Sequence, residues 1–263
     1  MVESLKHETQ ERENMPYDPS HPVFTLPESG DMTIWRYMDL AKLVALLLDR
    51  SLFLSRADLL GDPFEGSMTQ ATVDARAVYT KGDATFSEMW SRIIRDTRST
   101  MCVNCWHMSP HESAAMWSLY AREGLGVAVK SSIPRLTQTL TDNLADKPQP
   151  VYVGLVHYVD YTTEQIPEFN SFWPYVYKRK SFEHEKELRI VTGILPDYEG
   201  GEIFDEESFR GFKVDIDPSI LVEDMYVAPG SGEWFRDVVQ AVVQQFGLDC
   251  QVHESSIDGN PVY

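Results

Sequence analysis

The sequence lacks a long apolar run, has few cysteines and is short of positive charge, and each absence excludes something. A membrane-spanning helix needs about 20 consecutive apolar residues, and the longest candidate, residues 43–48, is far shorter. The N-terminal segment is polar and acidic, without the basic and apolar regions of a secretion signal. Three cysteines in 263 residues, an odd number, argue against a disulfide framework and predict a reducing, cytoplasmic setting. Lys and Arg number 23 against 41 Asp and Glu, a formal net charge of −18. General nucleic-acid binding gains from counterion release at a positive surface, so that class is excluded, as is coating of an acidic membrane. Only the local run Lys178-Arg179-Lys180 stands apart from this balance. No internal repeat and no low-complexity linker interrupts the chain.

What is present is the composition of a folded protein, with 43% hydrophobic and 11% aromatic residues. Residues 1–30 are polar, contain Pro16, Pro22 and Pro27, and read as a loosely packed arm. Residues 31–263 read as a single α+β domain with a mixed or mostly antiparallel central sheet and a helical insertion near 67–98. Alternation predicts strands at 33–37, 51–55, 101–106, 126–130, 151–161, 187–193, 211–216, 221–227 and 250–253. Asp39 is the expected N-cap of a helix through residue 49, burying Leu40, Leu43, Val44 and Leu47. Thr85 with Glu88, and Ser109 with Glu112, have capping-box spacing, the second helix running to about Gly124. Further helices are expected around Leu136, Leu140 and Leu144, and from 232 to 246 with Gly247 closing it.

The densest chemistry lies in residues 180–192. Glu183, Glu185 and Glu187 alternate with His184 and Lys186 and lead through Arg189 into an Ile-Val strand. Were the segment extended from Glu183, Glu183, Glu185, Glu187 and Arg189 would share one face. Three acids on one face must be solvated or paired, so Arg189 or the 178–180 run is expected to meet at least one of them. The segment reads either as an outer, solvated face or as the lining of a site.

Other constellations compete. Cys102-x-x-Cys105 with His107 and His111 has the look of a zinc set. Strand alternation sends the two cysteines to opposite faces, however, and no second pair exists, so buried cysteines and no metal are expected. Trp117 and Tyr120 on a helix read as core or as a wall for a planar ligand. The loop from Gly61 to Gly66 is a turn whose Asp62 and Glu65 are placed to reach a ligand. Asp62, Glu65, Glu185 and Glu187 would also serve as hard oxygen ligands of a metal-dependent nuclease or phosphoesterase, with Lys180 or Lys186 at the phosphate. A non-catalytic binding module is the remaining class. The sequence sets no oligomeric state.

Taken together, Trp35-Arg36-Tyr37, Phe53 with Ser55, Gly61-Asp62-Pro63-Phe64-Glu65, Cys105-Trp106, Met116-Trp117 with Tyr120, Gly126-Val127, and Lys180-Ser181 leading into Glu185, Glu187 and Arg189 resemble the bacterial domain of unknown function 2971 family. That family name implies no activity. A second resemblance does. In ADP-ribosyltransferase-like folds a strand bearing Arg or His is followed by a helix and an apolar strand, and a Glu-x-Glu stands at the start of a later strand. Arg36, the helix after Asp39, the strand ending at Ser55, and Glu185-Lys186-Glu187 are similar to these parts. The resemblance implies NAD as substrate, Arg36 at its ribose or pyrophosphate, and Glu187 as the catalytic carboxylate. The family's middle motif has no match here, and Tyr120 takes its place by elimination. Tyr37, Ser55, Asp62, Glu65, Trp117, Lys180, Glu185 and Arg189 are the candidate cofactor-binding positions.

Overall fold

The strongest alternating segments pair into one large sheet in the computed structural model, which describes residues 19–121, 124–143, 150–193, 209–259 and 261–262. The strands are β1 (Thr33–Asp39), β2 (Ser51–Arg56), β3 (Met101–Met108), β4 (Gly126–Ser132), β5 (Tyr152–Leu155), β8 (Glu187–Gly193), β9 (Gly211–Asp215), β10 (Asp224–Val227) and β11 (Val252–Glu254). Their order is β11-β10-β4-β1-β3-β2-β9, with β8 on β3 and β5 on β8. Every pairing in this sheet is antiparallel except β10 with β11. Two short strands, β6 (His157–Val159) and β7 (Tyr177–Arg179), form a separate parallel pair. The fold is therefore a mixed α+β domain on a mostly antiparallel sheet, as the patterning predicts.

Seven helices decorate it among the described residues: α1 (Leu40–Asp49), α2 (Gln70–Tyr79), α3 (Ala84–Thr97), α4 (Ala114–Tyr120), α5 (Ile133–Asn143), α6 (Pro218–Leu221) and α7 (Glu233–Gln245). Asp39 caps α1 by accepting from the Lys42 amide at 2.8 Å. No described helix is long and apolar enough to cross a membrane.

The two faces of the sheet differ. One carries Ile34 and Met38 of β1, Leu52 and Leu54 of β2, Cys102 and Trp106 of β3, and Leu188 and Ile190 of β8 in a continuous apolar core. The other face carries two separate apolar clusters. Trp35, Tyr37, Met116, Trp117 and Ala128 form one, and Val103, Tyr152, Tyr175 and Val191 belong to the second. Between them lie the side chains of Cys105, His107, Glu187 and Arg189.

Several boundaries differ from the sequence reading. Residues 1–18 of the expected arm, and Leu144, lie outside the described residues. Within 19–30, Val23 and Phe24 are buried, and Phe24 stacks on Tyr152 at 4.9 Å, so the segment is anchored at these two residues while most of the others are exposed. Asp83, not Thr85, caps α3 by accepting from the Phe86 amide. Ser113, not Ser109, caps α4 by accepting from the Met116 amide, and that helix ends at Tyr120, before Gly124. Both true caps are residue types as good as those expected, standing two or four positions away. The segment 151–161 is broken into β5 and β6, which pair with different partners. Asp217 and Pro218 open α6, so β10 begins only at Asp224.

The largest correction concerns residues 180–187. Lys180–Glu185 is 3₁₀-helical, and Lys186 is left-handed at φ 41°, so the strand starts at Glu187. Glu183 and Glu185 are therefore not on a strand face with Glu187. A tertiary bond holds the turn, the Met108 amide donating to the Lys186 carbonyl at 2.9 Å.

Candidate active site

β3 is the spine of the site. One edge pairs with β8 along Met101–His107. The other edge is shared: β2 takes Cys102 and Val103, and β1 takes His107 and Met108. β1 and β2 splay apart, and Arg36 fills the seam. Its Nη1 donates to the Asn104 side-chain oxygen at 2.9 Å and to the Cys105 carbonyl at 2.8 Å. Asn104 completes the bridge by donating to the Phe53 carbonyl at 2.9 Å. The guanidinium thus replaces strand-to-strand bonds where the backbones part. Burial lowers the pKa of Arg36 from its ordinary value, and the neighbouring Cys105 and Tyr120 push the other way.

On the other edge, β8 opposes Glu187 to His107 and Arg189 to Cys105. Onto these side chains β7 lays Lys178. Its ammonium lies 2.7 Å from Glu185, 2.7 Å from Glu187 and 3.2 Å from Glu65. Arg189 is fully buried, with Nε 2.6 Å from Glu187 and a two-pronged contact to Glu65 at 2.8 and 2.9 Å. Paired, bidentate geometry of this kind is what lets charges sit inside a protein. Tyr158 of β6 accepts from the Glu187 amide at 2.9 Å. β6 and β7 therefore deliver both Tyr158 and Lys178 to the start of β8.

Glu65 reaches Arg189 because its loop turns sharply. The Phe64 amide donates to Asp62 Oδ1, and the loop closes at Gly66, whose φ is +72°. A Cβ on Gly66 would stand 2.7 Å from the Tyr175 ring, so the position needs glycine for both conformation and space. Asp62 is held by Arg179 through contacts of 2.6 and 3.1 Å, and Arg179 lies over the Phe64 ring at 4.3 Å.

The electrostatics separate the two carboxyls of the Glu-x-Glu. Burial works against the charge of Glu187, yet Arg189, a hydrogen bond from Glu185 and Lys178 hold it well below the usual carboxylate range. Burial, the hydrogen bond to Glu187 and the charge of Glu187 push Glu185 up to about 7, against the pull of Lys178. Glu187 is 3% exposed, whereas the side chain of Glu185 is 13% exposed. Cys105 is the common neighbour. Its thiol hydrogen-bonds Glu187, and burial and that carboxylate push its pKa up. Tyr120, 45% exposed at the end of α4, is pushed up to about 12 by burial and by Cys105, Glu185 and Glu187. His107 donates from Nδ1 to the Glu185 carbonyl at 2.6 Å, and burial lowers its pKa.

The structure thus joins Glu185 to Glu187 through Lys178 and leaves Tyr120 near enough to feel their charge, whereas Arg36 leaves β1 on the face of Ile34 and Met38 and meets Cys105 at its backbone carbonyl. It gives other candidates different work. Arg189 is enclosed and bound to two carboxylates, so it is not a ligand contact. Trp117 is buried, with its indole N–H on Glu112 at 3.0 Å, and forms core rather than a ligand wall. Tyr37 is also buried; its hydroxyl accepts from the Ser113 amide, and burial pushes it up to about 12. Asp62 and Glu65 are committed to Arg179 and Arg189. Ser55 opposes Val103, and its hydroxyl turns to the Arg56 carbonyl at 3.4 Å. Lys180 is exposed at the start of the 3₁₀ turn.

The four acids expected for a metal are each paired with a cation, and the Lys178 ammonium stands where a shared ion would have to sit. Among the described residues no cluster of His, Cys, Asp and Glu has metal-binding geometry. Cys102 faces the apolar core and Cys105 the opposite face, and both are free thiols. The run Lys178-Arg179-Lys180 is no basic patch, because its first two members are consumed by ion pairs. Lys178, Tyr158, Asn104 and His107 are not among the candidate catalytic and cofactor-binding positions. His107 enters the sequence reading only in the zinc constellation, and Lys178 only as a cation near three acids needing partners. A concavity of about 190 Å³ lined by Leu47, Leu48, Arg50 and Phe246 lies against α1 and α7, away from these groups.

No protein-family model and no curated protein matches the chain. Among solved structures, DarT of Thermus sp. 2.9 in complex with NAD+ is similar at 11% identity and a TM-score of 0.40, over 90% of this chain and 100% of that one. Its complex with carba-NAD+ gives 10% identity and a TM-score of 0.41, over 89% and 100%. Likeness of that degree decides nothing about activity or ligand.

Proposed function

We propose that the chain is an NAD-using glycosyl-transfer enzyme, an ADP-ribosyltransferase or NAD glycohydrolase, with its reaction centre between Arg36, Tyr120 and the Glu185–Glu187 pair. The observation that carries this reading is the buried Glu187 at the start of β8, joined to Glu185 through the Lys178 ammonium, with Arg36 reaching the neighbouring Cys105 carbonyl from the seam between β1 and β2. These residues are among those that the ADP-ribosyltransferase resemblance singles out. Breaking the bond between ribose and nicotinamide develops positive charge at the sugar, and a fixed carboxylate stabilises that charge best where water is excluded. Glu187 is such a carboxylate, kept ionised by Lys178 and Arg189. Arg36 holds ribose or pyrophosphate oxygens. The nicotinamide leaves with the bonding electron pair, and water or an acceptor nucleophile joins the ribose carbon and gives up its proton.

A second reading has its own observation. Both oxygens of Glu187 are already engaged, Oε1 by Lys178 and Oε2 by Arg189, as in a purely structural network within a binding module. One variant separates the two. Under the enzymatic reading, Glu187→Gln lowers nicotinamide release from NAD per folded molecule by about 10²- to 10³-fold. Under the structural reading, the same variant melts earlier while release per folded molecule stays unchanged, and that result would sink the catalytic assignment.

A further inference from the structure

The helical insertion is built inside out. Arg76 of α2 is fully buried, its guanidinium donating to Glu168 at 2.8 Å and, on α3, to the Ser87 carbonyl and the Ser91 hydroxyl at 3.3 and 2.9 Å. Thr72 and Ile94 are the other buried side chains of the two helices. A helix pair ordinarily turns its apolar stripe inward and its polar groups outward. Here Val78, Tyr79, Met89 and Ile93 are exposed, Val78 at 79%. Phe169 adds a ring that is 59% exposed, packed on Tyr79, Phe86 and Trp90 at centroid distances of 6.1, 6.2 and 5.6 Å. Its backbone is left-handed at φ 65°, a conformation that strains a bulky residue. Met89 and Ile93 stand one turn apart on α3, next to Phe86 and Trp90, so the apolar groups are contiguous. Contiguous apolar side chains held outward mark a contact surface.

The charges beside this surface select what covers it. Glu88, Arg92, Arg95 and Asp96 are the exposed charged residues of α3, and none of their side chains pairs with another described residue. Two acids and two bases make this rim neutral, whereas the chain as a whole carries −18. An anionic lipid surface selects a basic rim, and a partner of one sign selects a rim of the other. A mixed rim fits a surface that carries both signs in complementary places. We propose that this surface is a second copy of the chain, with α3 packed antiparallel on α3 about a two-fold axis between Trp90 and Arg92. In that register Met89 meets Ile93 of the other copy at the centre of the contact. Glu88 of each copy then comes beside Arg92 and Arg95 of the other, so the rim complements itself. Phe169 widens the apolar contact on the opposite flank of the helix. This interface is independent of the activity proposed above.

The test is sedimentation velocity on the full chain from about 1 to about 100 µM, a range that covers interfaces of modest size. The chain should pass from monomer to dimer. Met89→Glu and Ile93→Glu, with melting curves to show that they fold, should each raise the dimer dissociation constant at least about 10-fold. Leu48→Glu, an equally conspicuous exposed apolar residue on α1, should leave it unchanged. Charge reversal tests the register. Glu88→Arg alone, and Arg92→Glu with Arg95→Glu, should each dimerise more weakly than the natural chain, and the two variants mixed should associate again. A chain that stays monomeric throughout, or a dimer that Met89→Glu and Ile93→Glu leave intact, overturns the inference. So does a mixture of the charge-reversed variants that fails to recover. If the chain stays monomeric but floats with phosphatidylcholine–phosphatidylserine vesicles, and Ile93→Glu abolishes flotation, the surface belongs to lipid and the inference falls.

Discussion

Residues 189 and 190 are neighbours on β8, yet they point into opposite worlds. Ile190 enters a continuous apolar core, whereas Arg189 enters an ionic cluster wedged between two smaller apolar ones. On the first face, stability comes from area removed from water, gained in small increments and lost in small increments. On the second, every group depends on a partner, because a buried ion pair is at best near break-even and a broken one is costly. A sheet needs only the first kind of face to fold. The second is retained against that logic, which is why chemistry is sought there rather than in the apolar core.

The contrast is broken most severely at Arg189. Arg189→Leu leaves Glu65, Glu185 and Glu187 to share one ammonium, and should cost about 3–5 kcal/mol in urea denaturation. A loss below about 1 kcal/mol would mean that the two faces are alike after all.

Acidity offers a gentler probe. The folded-state pKa of Glu185 is raised to about 7, above an unfolded value of about 4.3. Its contribution is therefore complete below the unfolded value and is lost as pH rises through 7. Glu187 is held low, so its contribution is present above the unfolded value and is lost only as pH falls through the folded one. Between pH 5 and 8 the Glu185 effect stands alone of the two, and stability should fall by about 2–3 kcal/mol. Glu185→Gln should flatten that slope; a variant that keeps the wild-type slope would assign it elsewhere.

Ile190→Val sharpens the apolar side of the comparison. It removes one methylene from the core and should cost about 1 kcal/mol, with no change in pH dependence. The smallest effect belongs to the surface. Lys213 and Asp49 form an exposed pair at 2.7 Å, and Lys213→Ala should stay within about 0.5 kcal/mol by thermal melting.

Much of the apolar face was legible in the sequence because its signal is local. β1, β2, β3 and β8 read as strands from their short apolar runs, although both faces of β3 and β8 are buried, and Asp39 caps α1 as its residue type predicts. The need for cations near the acids of 183–187 was legible too, as a matter of charge balance. What escaped was everything decided at a distance. Lys186 takes a left-handed conformation that costs a side chain strain, and it does so where the Met108 amide meets its carbonyl. Lys178 matters only because β7 pairs with β6, a partnership of three residues a side that no periodicity announces. Asp83 and Ser113 prevailed over nearby caps of equal quality, a choice that tertiary packing makes and propensity does not.

The seam between β1 and β2 sets a competition at a single nitrogen. Arg36 Nη1 holds the Asn104 side chain and the Cys105 carbonyl together, and through Asn104 it reaches the Phe53 carbonyl of β2. A phosphate or ribose oxygen that claimed this nitrogen would take it from the sheet. Under the proposed function the guanidinium would have to serve as both rivet and ligand hand, and it cannot be wholly both at once. On that reading ligand occupancy would be written into the backbone: β1 and β2 would be most firmly joined with no ligand bound, and loosening that joint would be part of the cost of binding one.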